Sequence, residues 1–489
     1  MQPPPMTMTA AQAPSGTPLG RGQLSSRRAG LWVLLLGLPF LSAASAPAGF
    51  ELLGGLAAFN LLLLGALLAR ALAVRRLELA PVVGFLPGLL SSWPLAGLYF
   101  LHFSPHATYV NRFGETPLLY QGEWVQLCLA VFVVPYFVFI WPLLRPRSEE
   151  ANTVPESIDF EWWLLAVGLV SVNLGWLISV TPLGSALVLA GNALRNFFTG
   201  FCILAGLRWN RWSPFRKQVI AVALLACLAA NTLANARGYA INPLLVAVLG
   251  YALARDVARR RQVILFGALL ALLPLYLAVG NQTRLALHSV GFANIEERTA
   301  VMSRALRGDL QHGEGGGFVE DAMRRQYSAG GHSLIIQDWG RVSLSDFNVL
   351  QFVREGLRVL LPAFLFGQAE SLTYTGTEIL LDYGWLITTG NSVEVSMVGS
   401  LFHQGGLVMV GLGGVLLAVL HRALAALIQR KHQLAALAGV VALLSLWGYN
   451  LDFIAYGRGL VWGMFYALLA IRTVGSALQP RKRNPASPV

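Results

Sequence analysis

Between two apolar runs, ILFGALLALLPLYLAVG (264–280) and SMVGSLFHQGGLVMVGLGGVLLAVL (396–420), the chain turns polar. NQTRLALHSVGFANIEERTA (281–300) opens a hydrophilic segment that continues to Val393. This insert, Asn281–Val393, holds nine arginines, no lysine and twelve acidic residues. The rest of the 489 residues reads as apolar runs joined by short turns. Such a pattern predicts a chain that crosses a membrane many times and displays one large hydrophilic segment on one face.

Composition agrees. Hydrophobic residues make up 55% of the chain and charged residues 12%, against about 25% charged in soluble domains. Lipid leaves no solvent partner for a bare peptide group, so spans are helices or closed barrels. Barrel strands alternate over about 10 residues; here the apolar runs approach about 20, the length of a crossing helix. The reading is an all-α, polytopic integral membrane protein of about 12 transmembrane helices with one large extracytoplasmic loop. The expected spans are 30–46, 50–74, 79–103, 123–144, 161–181, 184–207, 216–235, 239–255, 262–280, 396–427, 432–449 and 453–475. They divide the chain into a disordered cytoplasmic N-terminus (1–29), a first membrane bundle of about nine spans (30–280), the loop (281–393), a second bundle of about three spans (394–475) and a basic cytoplasmic tail (476–489).

Lys and Arg assign the faces. Every second end is basic: Arg21, Arg27 and Arg28; Arg70, Arg75 and Arg76; Arg145 and Arg147; Arg208, Arg211, Arg216 and Lys217; Arg255 and Arg259–Arg261; Arg422, Arg430 and Lys431; Arg472 and Arg481–Arg483. The short connections between, Ala46–Gly49, Thr181–Leu183 and Asn450–Asp452, carry no Lys or Arg. Both termini are therefore expected in the cytoplasm of an inner (plasma) membrane protein, and the loop outside it. The run after Arg27-Arg28 imitates a signal peptide, but its leading region is long for one, which favours an uncleaved first span. The net charge of +12 is orientation signal and not a nucleic-acid stripe, so no nucleic-acid partner is expected. Cys128, Cys202 and Cys227 all lie in apolar runs and imply neither a disulfide framework nor a metal site.

The insert contains short amphipathic stretches at Glu296–Gly308, Phe318–Tyr327 and Ser345–Leu361. Gly313–Gly317 is glycine except for Glu314 and reads as a hinge; Leu372–Asn391 is polar and Thr-rich and reads as a cavity-lining segment. The cytoplasmic connections are too short for a nucleotide-binding domain. No phosphate loop, nucleophile elbow, His-x-x-x-His or cysteine cluster appears. A reaction here would need a substrate already activated and delivered by the membrane, with no cofactor and no metal.

Three local elements resemble a known family. Ala236-Arg237-Gly238 opens a span, as a Gly/Ser-Arg-Gly element does there. Trp339-Gly340-Arg341, Ser345-Asp346, Leu361-Pro362 and Phe366-Gly367 follow its loop rhythm. Ser396–Gly406 (SMVGSLFHQGG) is similar to its Gly-Glu-x-Tyr-x-x-Phe-Gly element, with Ser400 where Glu is common and His403-Gln404 in place of an Asn-Phe pair. With the layout, these elements resemble the Wzy-type O-antigen polymerases (the oligosaccharide repeat unit polymerases) and, more distantly, the O-antigen ligases.

That resemblance implies polymerisation of polyprenyl-diphosphate-linked oligosaccharides on the outer face, with membrane lipid, a flippase and a chain-length regulator as partners. The leaving lipid diphosphate needs cations, which arginine supplies in a bidentate, permanently charged form. Arg237 and Arg284 bracket one helical hairpin, Arg195 sits inside an apolar run, Arg341 lies in the loop, and Arg458 opens the last span. Their bland alternatives are snorkelling side chains and local ion pairs, such as Asp452–Arg458 or Arg341 with Asp338 or Asp346. For the base that takes the acceptor proton, the candidates are His403 at the outer end of the tenth span, His332 in the loop, and Glu394 just above the bilayer, with His288 and Asp382 behind them. Competing functions are a ligase, a glycosyltransferase using polyprenyl-linked sugars, and a secondary transporter. Against the last two stand a first external loop with only Glu51 beside it and the absence of an internal repeat.

Overall fold

Apolar runs become helices here because each peptide group then bonds within its own segment. The computed structural model describes residues 37–111, 114–145, 196, 199–233, 237–254, 257–265, 267–268, 295–307, 319–320, 323–324, 327, 329–342, 395–430, 435–446, 448–451 and 453–478. In chain order the helices are α1 (Glu51–Val74), α2 (Ala80–Leu90), α3 (Ala96–Phe103), α4 (Gly122–Ile140), α5 (Pro214–Leu233), α6 (Arg237–Leu253), α7 (Ile295–Arg307), α8 (Ala329–Val342), α9 (Met397–Arg430), α10 (Ala435–Leu446) and α11 (Phe453–Leu478). A π-turn, Ser91–Leu95, joins α2 to α3. Pro94 within it lacks the N–H that would bond back one turn, and the helix widens there.

Among the described residues four helices are long and apolar enough to cross a membrane: Glu51–Val74, Leu77–Phe103, Gly122–Leu144 and Met397–Gln429. They match the expected spans at 50–74, 79–103, 123–144 and 396–427. Leu77–Phe103 is the central one, 94% buried against 39–44% for the others. The outer helices turn apolar side chains outward, as Val408, Leu412, Leu416 and Val419 do along one stripe of α9. An exposed apolar stripe of that length suits a lipid surface. The chain is thus a nearly all-helical protein of the membrane-embedded kind. α5, α6, α10 and α11 overlap four further expected runs, 216–235, 239–255, 432–449 and 453–475; 161–181 and most of 262–280 lie outside the described residues.

α4 and α9 run side by side in the same direction. Val131 meets Gly411, and a Cβ at Gly414 would overlap the Phe132 carbonyl, so the small residue sets the close approach. At one end of the bundle Arg70 donates to the Leu144 carbonyl (3.1 Å) and Arg76 to the Leu143 carbonyl (3.2 Å), while Arg76 also pairs with Glu78. These cations serve the last carbonyls of α4, where the helix dipole is negative.

The other end carries a departure from an all-α chain. Strands β1 (Thr108–Asn111) and β2 (Gly114–Pro117) form an antiparallel hairpin between α3 and α4, with Thr108 opposite Pro117. The turn Gly448–Asn450 is packed beside α9 and α2, and Gly448 rests on the ring of buried Tyr456.

Candidate functional site

The hydrophilic insert does not stand apart from the helices. At the hairpin end, Ser104 donates to Glu320 (3.2 Å), Glu320 pairs with Arg324 (2.7 Å), and Arg324 donates to the Thr108 carbonyl. Deeper in, the Tyr327 ring lies 5.6 Å from Phe100, and the His332 ring 5.3 Å from Trp93. Successive residues of the insert thus descend along α3 to the π-turn. α8 continues along the bundle until Trp339 lies against Gly406. His332, expected in the hydrophilic insert, lies there within α8. Gly330 and Gly331 disfavour a helix there, but burial of His332, Ile335 and Trp339 against α9 outweighs that preference.

Two backbone irregularities face this helix. One is the π-turn bearing Trp93. The other is a break within α9, where Gly405 has φ 179° and ψ 32° and Gly406 has φ 59° and ψ −151°. The second conformation is open to glycine and strained for other residues. Beside the break, Trp339 Nε1 donates to the His403 carbonyl at 3.3 Å, and its ring lies 5.4 Å from Phe402.

His332 occupies the space between. It is wholly buried, with Phe402 at 5.7 Å, Trp93 at 5.3 Å and Gly399 beneath it. Neither Nδ1 nor Nε2 has a hydrogen-bond partner, and the Trp93 indole N–H is also buried without one. Burial pushes the His332 pKa down from 6.5 to about 3, so the imidazole is neutral. A neutral imidazole offers one donor and one bare acceptor. Buried polar groups nearly always find partners, and leaving one unmade costs about 1–3 kcal/mol. The backbone around them is better served. Gln126 donates to the Trp93 carbonyl (3.1 Å), and Asn60 donates to the Gln126 side chain (3.0 Å) and carbonyl (2.8 Å).

A second buried layer lies further along α9. Ser445 donates to the Val441 carbonyl (2.7 Å), which leaves its oxygen to accept from the Tyr456 hydroxyl (2.8 Å). Tyr456 then accepts from His421 Nε2 (2.9 Å), and Nδ1 accepts from the Tyr136 hydroxyl (2.8 Å). One carbonyl thus sets the direction of every proton, and His421 fits as the neutral Nε2–H tautomer. This network joins α4, α9, α10 and α11 and leaves none of the four side chains unpaired.

Of the expected site residues, the structure brings His332 and His403 together: α8 packs on the turn that carries His403. Arg341 lies at the C-terminal end of α8, and Arg237 begins α6; their side chains are outside the described residues. Arg195, Arg284 and Glu394 lie outside the described residues, as do Ser345–Leu361, Gly313–Gly317 and Leu372–Asn391. Arg458 is half-buried two residues after Tyr456 on α11. Trp93 and His421 went unnoticed in the sequence. Trp93 carries no signal there beyond its Pro94 neighbour, and His421 was masked by adjacent Arg422, which marks a span end. Among the described residues no group of three His, Cys, Asp or Glu could hold a metal ion. The chain matches no family model, no curated protein and no solved structure.

Proposed function

We propose that this protein is a glycosyltransferase-type polymerase that joins oligosaccharide repeat units carried on polyprenyl diphosphate, through about 12 spans, on the extracytoplasmic face. The observation that supports it is the meeting of two of the elements that carry the family resemblance. Trp339-Gly340-Arg341 and Ser396–Gly406 are far apart in sequence, yet Trp339 donates to the His403 carbonyl beside the helix break.

In the proposed step an acceptor hydroxyl oxygen attacks the anomeric carbon of the donor chain. The bond from that carbon to the diphosphate breaks, and the lipid diphosphate leaves with the electron pair. The hydroxyl proton passes to His332 through its bare ring nitrogen, and opening of the closed site to substrate must first relieve the burial that makes this ring a weak base. His403 and Glu394 are the alternatives for that role. Arginines answer the two developing negative charges; Arg341, on the same helix as His332, is the first choice, with Arg237 and Arg284 beside it and Arg195 and Arg458 as further candidates.

The test is a carbohydrate-stained gel of surface glycans from cells with and without the gene. Collapse of a long ladder to single repeat units is expected. Loss of core-attached glycan with free lipid-linked polymer accumulating would instead identify a ligase, and an unchanged pattern would overturn the proposal.

A further inference from the structure

The His332 site carries more than a proton acceptor. Its orphaned atoms are the two ring nitrogens of His332 and the indole N–H of Trp93, on rings whose centroids are 5.3 Å apart. Counted by role they are two donors and one acceptor, all neutral. A single hydroxyl group meets two of the three: it gives its hydrogen to the bare imidazole nitrogen and takes the Trp93 N–H on a lone pair, which leaves the imidazole N–H for a second group of the ligand. An oxygen about 2.9 Å from each of two nitrogens spans rings at this separation.

The surroundings argue against an anion. The described residues placed beside His332 by ring contact or close approach are Trp93, Phe402 and Gly399, none of them a cation. A phosphate or carboxylate entering that environment would lose its hydration without a counter-charge. Aromatic walls on two sides suit instead the apolar face of a sugar ring. Both backbone irregularities of the bundle, the π-turn and the Gly405–Gly406 break, border this one place.

We propose that Trp93 and His332 form the acceptor subsite, binding one hydroxyl of an uncharged sugar and holding it away from the donor's diphosphate. This inference rests on the polymerase reading and adds an orientation to it: the neutral acceptor lies at the π-turn, and the charged leaving group lies elsewhere. Trp93 is a binding residue in this account, with no part in proton transfer. The site as it stands is closed, since the orphaned atoms have no solvent contact, so α8 must shift from the break in α9 for the acceptor to enter. The Trp339 bond to His403 is the contact that such a shift would release.

The experiment uses the full-length protein and two variants, His332→Phe and Trp93→Phe, each assayed for glycan length in cells and for thermal unfolding of the purified protein in nanodiscs. Loss of a ligand-directed hydrogen bond predicts at least about a tenfold fall in long-chain glycan for each variant. His332→Phe should also unfold at the wild-type temperature or above it, because an unpaired polar ring is replaced by an apolar one of similar size. Wild-type chain length in either variant overturns the subsite. So does a lower unfolding temperature for His332→Phe, which would mark a packing role. The polymerase reading fails separately, if deletion of the gene leaves the glycan ladder unchanged. In that event the subsite falls with it, whereas wild-type chain length in the variants beside a collapsed ladder in the deletion overturns the subsite alone.

Discussion

Two histidines are fully buried in this bundle and are treated in opposite ways. His421 has a partner on each ring nitrogen, and its network ends on a backbone carbonyl. His332 has none on either. Both sit among aromatic rings, Phe85 beside one and Trp93 and Phe402 beside the other. Burial is therefore not what separates them; satisfaction is. A completed polar network holds helices in register, whereas an orphaned polar ring costs stability that packing alone does not explain. Strain of this kind is found where a ligand completes the set. Phe85, beside His421, and Trp93, beside His332, are eight positions apart along the central helix, about 12 Å, so the two layers can be perturbed separately.

The contrast can be broken most strongly at its satisfied end. His421→Phe leaves the Tyr136 and Tyr456 hydroxyls buried without the ring that joined them, and a loss of about 3 kcal/mol in unfolding free energy is expected from denaturant titration in detergent. Next comes the break in α9. Gly406→Ala places a side chain at φ 59°, ψ −151°, and its Cβ would come within 3.1 Å of Trp339. About 1–3 kcal/mol of strain follows, with shortened glycan on the same gel; unaltered stability would mean the break relaxes freely. Trp339→Phe removes one neutral hydrogen bond to the His403 carbonyl and should cost about 1 kcal/mol.

The smallest effect is the dependence on pH. His332 holds its proton at about 3 when folded and at 6.5 when unfolded, so below pH 6.5 the unfolded chain takes up the proton first. The stability is whole above pH 6.5 and is lost progressively as pH falls towards 3. Between pH 7 and pH 6 the loss is below about 1 kcal/mol. Wild type should therefore lose more unfolding free energy than His332→Phe over that interval, and parallel curves would deny His332 its buried neutral state.

Much of the helical frame was legible because it rests on one strong signal. Apolar runs near the length of a crossing helix appear at 50–74, 79–103, 123–144 and 396–427, and among the described residues the four helices long and apolar enough to cross a membrane are there. Basic residues at alternate ends were legible too, although Arg70 and Arg76 turn out to serve helix carbonyls as well as marking an end. The site was less legible. His332 and His403 could be picked out as candidate bases, but their meeting depends on α8 folding back into the bundle, which hydrophilic composition and the Gly330-Gly331 pair argue against. Trp93 acquires its role only from a π-turn and from a partner far along the chain, and no local pattern encodes that. The four-residue strands of the hairpin are likewise too short to leave an alternation that can be read.

The central claim is that the unpaired histidine is kept for a ligand and the paired one for the fold. Thermal unfolding of His332→Phe and His421→Phe, side by side in nanodiscs, tests it most directly. The account predicts a split: His421→Phe unfolds at a lower temperature than wild type, and His332→Phe at the wild-type temperature or above it. A fall in both would contradict it and make His332 one more packed ring of the core.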